Sequence, residues 1–446
     1  MKSETAGPAL FQRDPTHDYP VAVRGEGIYI YDDQGRRYLD GTSGAGNVTL
    51  GHGRQRIAQV MADQAATLAY CFSAFFTNKL AQDLAERIAA IAPGDLDHVY
   101  FVSGGSEGIE TAFKLARQYH LLRGNERKQQ IIARWRAYHG ATLGALGATG
   151  MPALRAPFAP WLPDFPHISA CYPYRCTFAG CAGQCNLDCA NDLEREILQA
   201  GPENVAAFVA EPVCMAGIAV GVPPPDYYRR VRQICDKYDV LFIADEVITG
   251  FGRTGRYFGI EHWDVVPDMI VFGKGVSSGY CPMGGVIMRR GVRDPFVEKG
   301  AFFPHIFTYV NNPLAMRIAG EVLDIIEEEG IIAHVEEVGA YLGERAQDLY
   351  KHKMVGEIRN KGMLLGIELV QDRDSKTPFP AAKGVAKRLG AILLERGLSV
   401  AATSAIADWV DGDDLRFYPA LTITRKQIDE AIGIIDAGLE QLTGEL

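Results

Sequence analysis

Four short apolar runs that each end abruptly in polar residues constrain this chain more than any other feature. Val99 to Val102 leads into Ser103-Gly104-Gly105-Ser106-Glu107, and Ala207 to Ala210 leads into Glu211-Pro212. Leu241 to Ala244 leads into Asp245-Glu246, and Met269 to Phe272 leads into Gly273-Lys274. From about residue 56 to 325 such runs alternate with helical periodicity, the pattern of a βα-type domain with a mostly parallel sheet. Ligands of open α/β sheets bind beyond the carboxyl ends of the strands. Four polar strand ends therefore describe one site assembled from distant segments.

The rest of the chain has a different texture. Val23 to Asp40 reads as a short β-meander: Ile28 to Tyr31, a turn at Asp32-Asp33-Gln34-Gly35, then Arg37-Tyr38-Leu39. Towards the C-terminus, charged helices over 336–350, 382–396 and 426–442 flank short strands such as Met363 to Leu369. The expected organisation is an N-terminal segment (1–55) packing with a small C-terminal α+β domain (326–446), and a large domain (56–325) between them. Neither terminal piece alone buries much core.

A formal net charge of -10 with no strongly basic run argues against a nucleic-acid partner. The first residues lack a basic start followed by an apolar stretch, and no apolar run reaches the roughly 18 residues of a membrane span. The expectation is a soluble, cytoplasmic protein with no membrane partner. Of 9 cysteines, Cys171, Cys176, Cys181, Cys185 and Cys189 crowd into one segment. Their spacing contains no Cys-x-x-Cys and no interleaved histidine, so the zinc signal is weak and no residue is assigned as a metal ligand. Reduced structural thiols, a metal or iron–sulfur ligand set, and a disulfide or redox role all remain open for this segment.

Two constellations carry chemistry. Ser103 to Glu107 lies between a strand and a helix whose apolar face is Ile109, Ala112, Phe113, Ala116 and Tyr119. Glycines allow close backbone approach, and a helix N-terminus offers free N–H groups to an anion; an ordinary strand-to-helix turn reads the same way. Lys274 follows an apolar strand and sits among Gly273, Gly275, Ser277, Ser278 and Gly279. A lysine amine forms a Schiff base with an aldehyde cofactor. An acid such as Asp245 keeps a pyridine nitrogen protonated, so that the ring withdraws electrons.

The segments Leu241 to Val247, Gly250-Phe251-Gly252-Arg253-Thr254-Gly255 and Phe272-Gly273-Lys274-Gly275 together resemble the signature of the class III (omega-) aminotransferases. The resemblance extends from Ile28 to Thr424. It implies a pyridoxal 5'-phosphate (PLP)-dependent type I fold: α/β, with a large, mostly parallel-sheet domain plus a smaller α+β domain. It also implies a homodimer with active sites at the subunit interface; whether dimers pair into tetramers is left open. Carried over by position, Lys274 is the Schiff-base lysine and proton shuttle, and Asp245 pairs with the pyridine nitrogen. Val247 packs under the ring, Tyr138 stacks over it, and Gly105 and Ser106 hold the phosphate. Thr308 reaches the phosphate of the neighbouring subunit, and Glu211 lies near the cofactor pocket. Glu246 reads as structural.

Arg416, in Leu415-Arg416-Phe417-Tyr418-Pro419-Ala420, occupies the position of the family's carboxylate-binding arginine, with a structural ion pair as the plainer reading. Members that use 2-oxoglutarate carry an arginine where this chain has Ala141 and a gate glutamate where it has Ala216. A dicarboxylate would leave a charge without a partner here, which favours pyruvate/alanine as one half-reaction. The other substrate is expected to be an amine or ω-amino acid. Ala45 and Gly46 stand where many amine:pyruvate enzymes place bulky residues, which predicts a roomy pocket. Tyr70, Phe72, Phe75 and Phe76 are candidates to line it, with core packing as the plainer reading of aromatic residues at such spacing. A racemase or epimerase, an aminomutase or a dialkylglycine-type decarboxylase would use the same Lys274 and Asp245. Net amino transfer to pyruvate separates these from a transaminase. A catalytically silent binding protein on this fold would be expected to lose the lysine or the phosphate groups, and Lys274, Asp245, Ser106 and Thr308 are all present.

Overall fold

The computed structural model describes residues 9–181 and 185–446. The N-terminal meander forms strands β1 (Ala22–Glu26), β2 (Tyr29–Asp32) and β3 (Arg37–Asp40). Seven further strands build the central sheet: β4 (Leu96–Val102), β5 (Gln130–Arg134), β6 (His167–Ile168), β7 (Val205–Ala210), β8 (Leu241–Asp245), β9 (Met269–Phe272) and β10 (Gly284–Arg289). Their spatial order is β4-β10-β9-β8-β7-β5-β6. The pairs β5–β6, β5–β7, β7–β8 and β8–β9 are parallel, and only β10 runs against its neighbours. Every residue of β7, β8 and β9 is buried, as expected of strands covered on both faces.

The helix Gly105–Leu122 buries Ile109, Ala112, Phe113 and Ala116 against this sheet. Its approach is close: a Cβ on Gly108 would lie 2.7 Å from Val271 Cγ1. Four strand ends, at Val102, Ala210, Asp245 and Phe272, consequently point to one side of the sheet, where the helix begins.

A second sheet, Val355–Lys361, Leu364–Asp372, Asp413–Phe417 and Ala401–Ser404 in spatial order, is antiparallel throughout. It docks tightly on the large sheet's loops. A Cβ on Gly366 would lie 2.0 Å from the carbonyl oxygen of Ala219, so only glycine fits there, and Arg359 Nε donates to that same oxygen at 2.9 Å. The meander joins the C-terminal part directly, because β3 pairs in parallel with Leu398–Ser399. The final helix, Arg425–Glu445, starts at a Thr424/Gln427 capping box.

All nine cysteines are free. Cys171 and Cys189 are buried with their thiols in contact, and that contact, with burial, pushes the Cys171 thiol well up. Cys176 and Cys185 are exposed. Among the described residues no group of three or more His, Cys, Asp or Glu side chains is arranged to hold a metal ion. No helix among them is long and apolar enough to cross a membrane.

Candidate active site

A cavity of about 530 Å³ opens where the four strand ends meet. Ser103, Gly104, Gly105 and Ser106 line it from β4; Glu211 lines it from β7, Asp245 and Val247 from β8, and Lys274 from β9. Tyr138, His139 and Gly140 enter from the segment after β5.

The β4 end is built for an anion. The helix Gly105–Leu122 starts without any side-chain cap, so its first-turn N–H groups remain available at the cavity wall. Glycine is required at two positions. A Cβ on Gly105 would fall 2.8 Å from Val247 Cγ1, and one on Gly140 (φ 136°) would fall 2.3 Å from Ser106 Oγ. Ser106 Oγ in turn accepts from Ala141 N at 3.1 Å, and Glu107 fixes the preceding loop by accepting from Ser103 N at 2.8 Å.

Opposite lie the acids. Asp245 is 5% exposed; its Oδ1 accepts from Val247 N at 3.1 Å, and its Oδ2 faces His139 Nδ1 at 2.6 Å. The far nitrogen of that buried imidazole, Nε2, has no partner in the described structure. Glu211 accepts from Tyr138 N at 2.9 Å and Met215 N at 3.2 Å, which anchors two cavity-lining segments to β7. Burial pushes its carboxyl up, and Asp245 adds to this while His139 opposes it. Glu246 points elsewhere: it is buried, accepts from Gly259 N at 2.8 Å and Ile260 N at 2.7 Å, and bonds Thr249 Oγ1. It pins the loop after β8, and burial holds its carboxyl up at about 7.

Lys274 sits at φ 43°, a left-handed conformation that costs a non-glycine residue about 1–2 kcal/mol. Burial lowers the pKa of its amine, against the pull of Asp245 and Glu211. A buried amine that holds its proton less tightly than usual, near two carboxylates and facing an anion cradle, is an arrangement for covalent capture of a phosphorylated carbonyl compound.

The family model for Aminotransferase class-III matches residues 11–439. The chain belongs to the class III aminotransferases. A putrescine–pyruvate aminotransferase of Pseudomonas aeruginosa is 38% identical over 429 residues, covering 94% of this chain and 90% of that protein. A taurine–pyruvate aminotransferase of Bilophila wadsworthia is 36% identical over 422 residues, covering 93% and 91%. Among solved structures, an (S)-enantioselective omega-transaminase from Thermomicrobium roseum superposes with a TM-score of 0.89 at 37% identity, over 97% of this chain and 96% of the other. The enzyme is therefore a transferase of amino groups.

Seven of the site residues expected from sequence meet in this aminotransferase's cavity: Lys274, Asp245, Gly105, Ser106, Tyr138, Val247 and Glu211. Five do not line it. Ala45 faces outward, because Ser43, Gly44 and Ala45 form a left-handed turn (φ 41°, 58° and 63°) that presents Gly44 and Asn47 to the cavity instead. Gly46 stands one layer behind, where a Cβ would touch Ile248 Cγ1 at 3.4 Å. Phe75 is 79% exposed on the outer surface, and Thr308 is exposed on another loop. Arg416 is buried behind the wall. Its Nη1 donates to the carbonyls of Met215 (3.4 Å) and Ala216 (3.0 Å), its Nη2 to Thr403 Oγ1 (2.7 Å), and its Nε lies 3.3 Å from Asp414. Sequence reasoning gave no role to His139, although it adjoins Tyr138. Only the fold brings it to Asp245, far away in sequence.

Proposed function

We propose that this aminotransferase depends on PLP and moves an amino group between an amine or ω-amino acid and pyruvate. The observation that carries the reading is the convergence of Lys274, Asp245 and the uncapped start of helix Gly105–Leu122 on one cavity. The donor set fits PLP: a cradle of main-chain N–H groups for a phosphate, an amine for an aldehyde, and a buried carboxylate for a pyridine nitrogen. Bound there, PLP supplies the electron sink and the carbonyl carbon that accepts the amino group.

The chain's own residues do the rest. Lys274 would hold the cofactor through its amine, and as a free amine would carry the proton to and from the donor's α-carbon. Asp245, fixed by its contact with His139, would pair with the pyridine nitrogen. Gly105 and Ser106 bind the phosphate, Val247 and Tyr138 enclose the ring, and Glu211 fixes the backbone that carries Tyr138. The acceptor reading rests on Ala141 and Ala216, which leave no cation or gate acid for a second carboxylate. It also rests on relatives named for pyruvate. Arg416, whose Nη1 donates to the Ala216 carbonyl and Nη2 to Thr403, would exchange these partners for the substrate carboxylate.

A homodimer is part of this reading. Phe72, Phe75, Phe76, Phe302, Ile306 and Tyr309 are all exposed and apolar, a surface that a second copy would cover. Thr308, within it, is then placed to reach the neighbouring site. The division into an N-terminal segment, a large domain and a small domain, and a cytoplasmic setting, complete the proposal. Borohydride reduction of the PLP-loaded enzyme followed by peptide mass analysis tests its centre. The cofactor should be fixed to the peptide carrying Lys274; its recovery on another lysine would overturn the assignment.

A further inference from the structure

A second cavity, of about 300 Å³, lies on the other side of the Arg136–Tyr138 segment and shares no lining residue with the first. Its walls include Trp135, Arg136, Tyr172, Arg175, Thr177 and Trp409.

Its charge is unbalanced. Arg136 is only 8% exposed, yet its guanidinium meets carbonyls alone: Gly217 at 3.3 Å, Ile406 at 2.6 Å and Ala407 at 2.9 Å. Burial presses its pKa down. The nearby acid Asp408 makes no ion pair with it, and its Oδ1 is taken by the N–H groups of Val410 (3.0 Å) and Asp411 (2.7 Å). Arg175 directs Nε to Glu368 and Nη1 to the carbonyl of Lys376 (2.9 Å), while its buried Nη2 has no partner in the described structure. Glu368 is already shared among Arg175, Arg359 and the Tyr172 hydroxyl. A buried cation with no carboxylate in contact and an unpaired buried N–H are both costly. The aromatic walls relieve part of this, with the Arg136 guanidinium 4.1 Å from the Trp409 ring centroid and 5.5 Å from that of Tyr172.

We propose that this cavity is a binding site for a small monocarboxylate with a flat apolar body. The carboxylate neutralises Arg136 and, with a turn of the Arg175 guanidinium that brings its buried Nη2 to the cavity, takes that free N–H, and the apolar body lies against Trp135 and Trp409. The volume, at the low end for ligand pockets, admits one ring or a short chain.

The test is equilibrium dialysis of the PLP-loaded enzyme against benzoate, with benzamide as the uncharged isostere and excess pyruvate present to occupy the catalytic cavity. Saturable uptake of about one benzoate per chain, in the millimolar range or tighter, is expected. Benzamide should not be retained. Arg175→Met should weaken benzoate about tenfold or more. Trp409→Leu, on a partly exposed loop, should weaken it too while lowering the thermal transition by only a few degrees; this variant decides if Arg175→Met fails to fold. Displacement by pyruvate, equal retention of benzamide, wild-type binding by the folded variants, or no saturable uptake up to about 10 mM would each overturn the proposal.

Discussion

Replacing Gly105 by alanine puts a methyl group 2.8 Å and 2.9 Å from the two γ-carbons of Val247. Carbon atoms attract best at about 3.5–4.0 Å, so the start of the helix or the valine must move by nearly an ångström. Overpacking of this kind costs about 1–3 kcal/mol. Gly105 opens the anion cradle and Val247 forms a cavity wall, so the strain falls on the cofactor site. If it appears wholly in binding, PLP affinity drops by about 5- to 150-fold, at 1.4 kcal/mol per decade. The assay is titration of the apoenzyme with PLP, followed by the visible absorbance of the bound cofactor, with apoenzyme melting measured in parallel. Two variants sharpen it. Gly104→Ala meets nothing within 4 Å and sits in extended backbone (φ 176°), so it should lose far less. Val247→Ala removes both opposing carbons, so the Gly105→Ala/Val247→Ala double variant should recover about 1 kcal/mol or more of coupling. Wild-type affinity in Gly105→Ala, or no recovery in the double variant, would refute the packing argument.

Other consequences are sharper but simpler. Lys274→Ala should lower amino transfer at least about a thousandfold, the scale on which a covalent-catalysis residue acts, as read by alanine formation from pyruvate. Asp245→Asn removes a carboxylate that opposes the burial of Lys274. The apoenzyme amine should then titrate lower still, as measured by pH-dependent acylation of Lys274. Arg416→Ala should raise KM for pyruvate and leave the half-reaction with an uncharged amine donor nearly unaltered, as measured by separate half-reaction kinetics. His120 is fully buried, with a pKa pushed down to about 4. The unfolded chain therefore binds the extra proton first: this stabilisation is complete above about pH 6.5 and is lost as pH falls toward 4, at up to about 1.4 kcal/mol per pH unit. Denaturant melts of His120→Gln should show a shallower acid slope than the native chain.

Much of this site was legible in the sequence because it lies on strand ends. Val99–Val102, Leu241–Ala244 and Met269–Phe272 each stop where a polar residue begins, and a parallel sheet leaves those residues nowhere to converge except one edge. Lys274, Asp245 and Glu211 follow directly. What was not legible depends on backbone conformation and long-range contact. Ala45 and Gly46 read as pocket residues, but a left-handed turn rotates Gly44 and Asn47 into their place. His139 pairs with Asp245 across the sheet edge, a contact no local pattern announces. Arg416 reads as a carboxylate ligand or a structural ion pair, and only the fold shows that Asp414, Thr403 and two carbonyls hold it behind the wall. The helix 385–395 and the meander could each be read locally, but not the parallel pairing of β3 with Leu398–Ser399.

The proposed reaction is an amino transfer that ends on pyruvate. The most direct measurement converts the PLP-loaded enzyme to its aminated form with a single amine donor, removes the donor, and then adds pyruvate or 2-oxoglutarate to separate samples. Recovery of the original visible absorbance with pyruvate, with alanine formed in equal amount, is the predicted result. Recovery mainly with 2-oxoglutarate would mean that a group other than Ala141 or Ala216 serves a second carboxylate, and the acceptor assignment would fall.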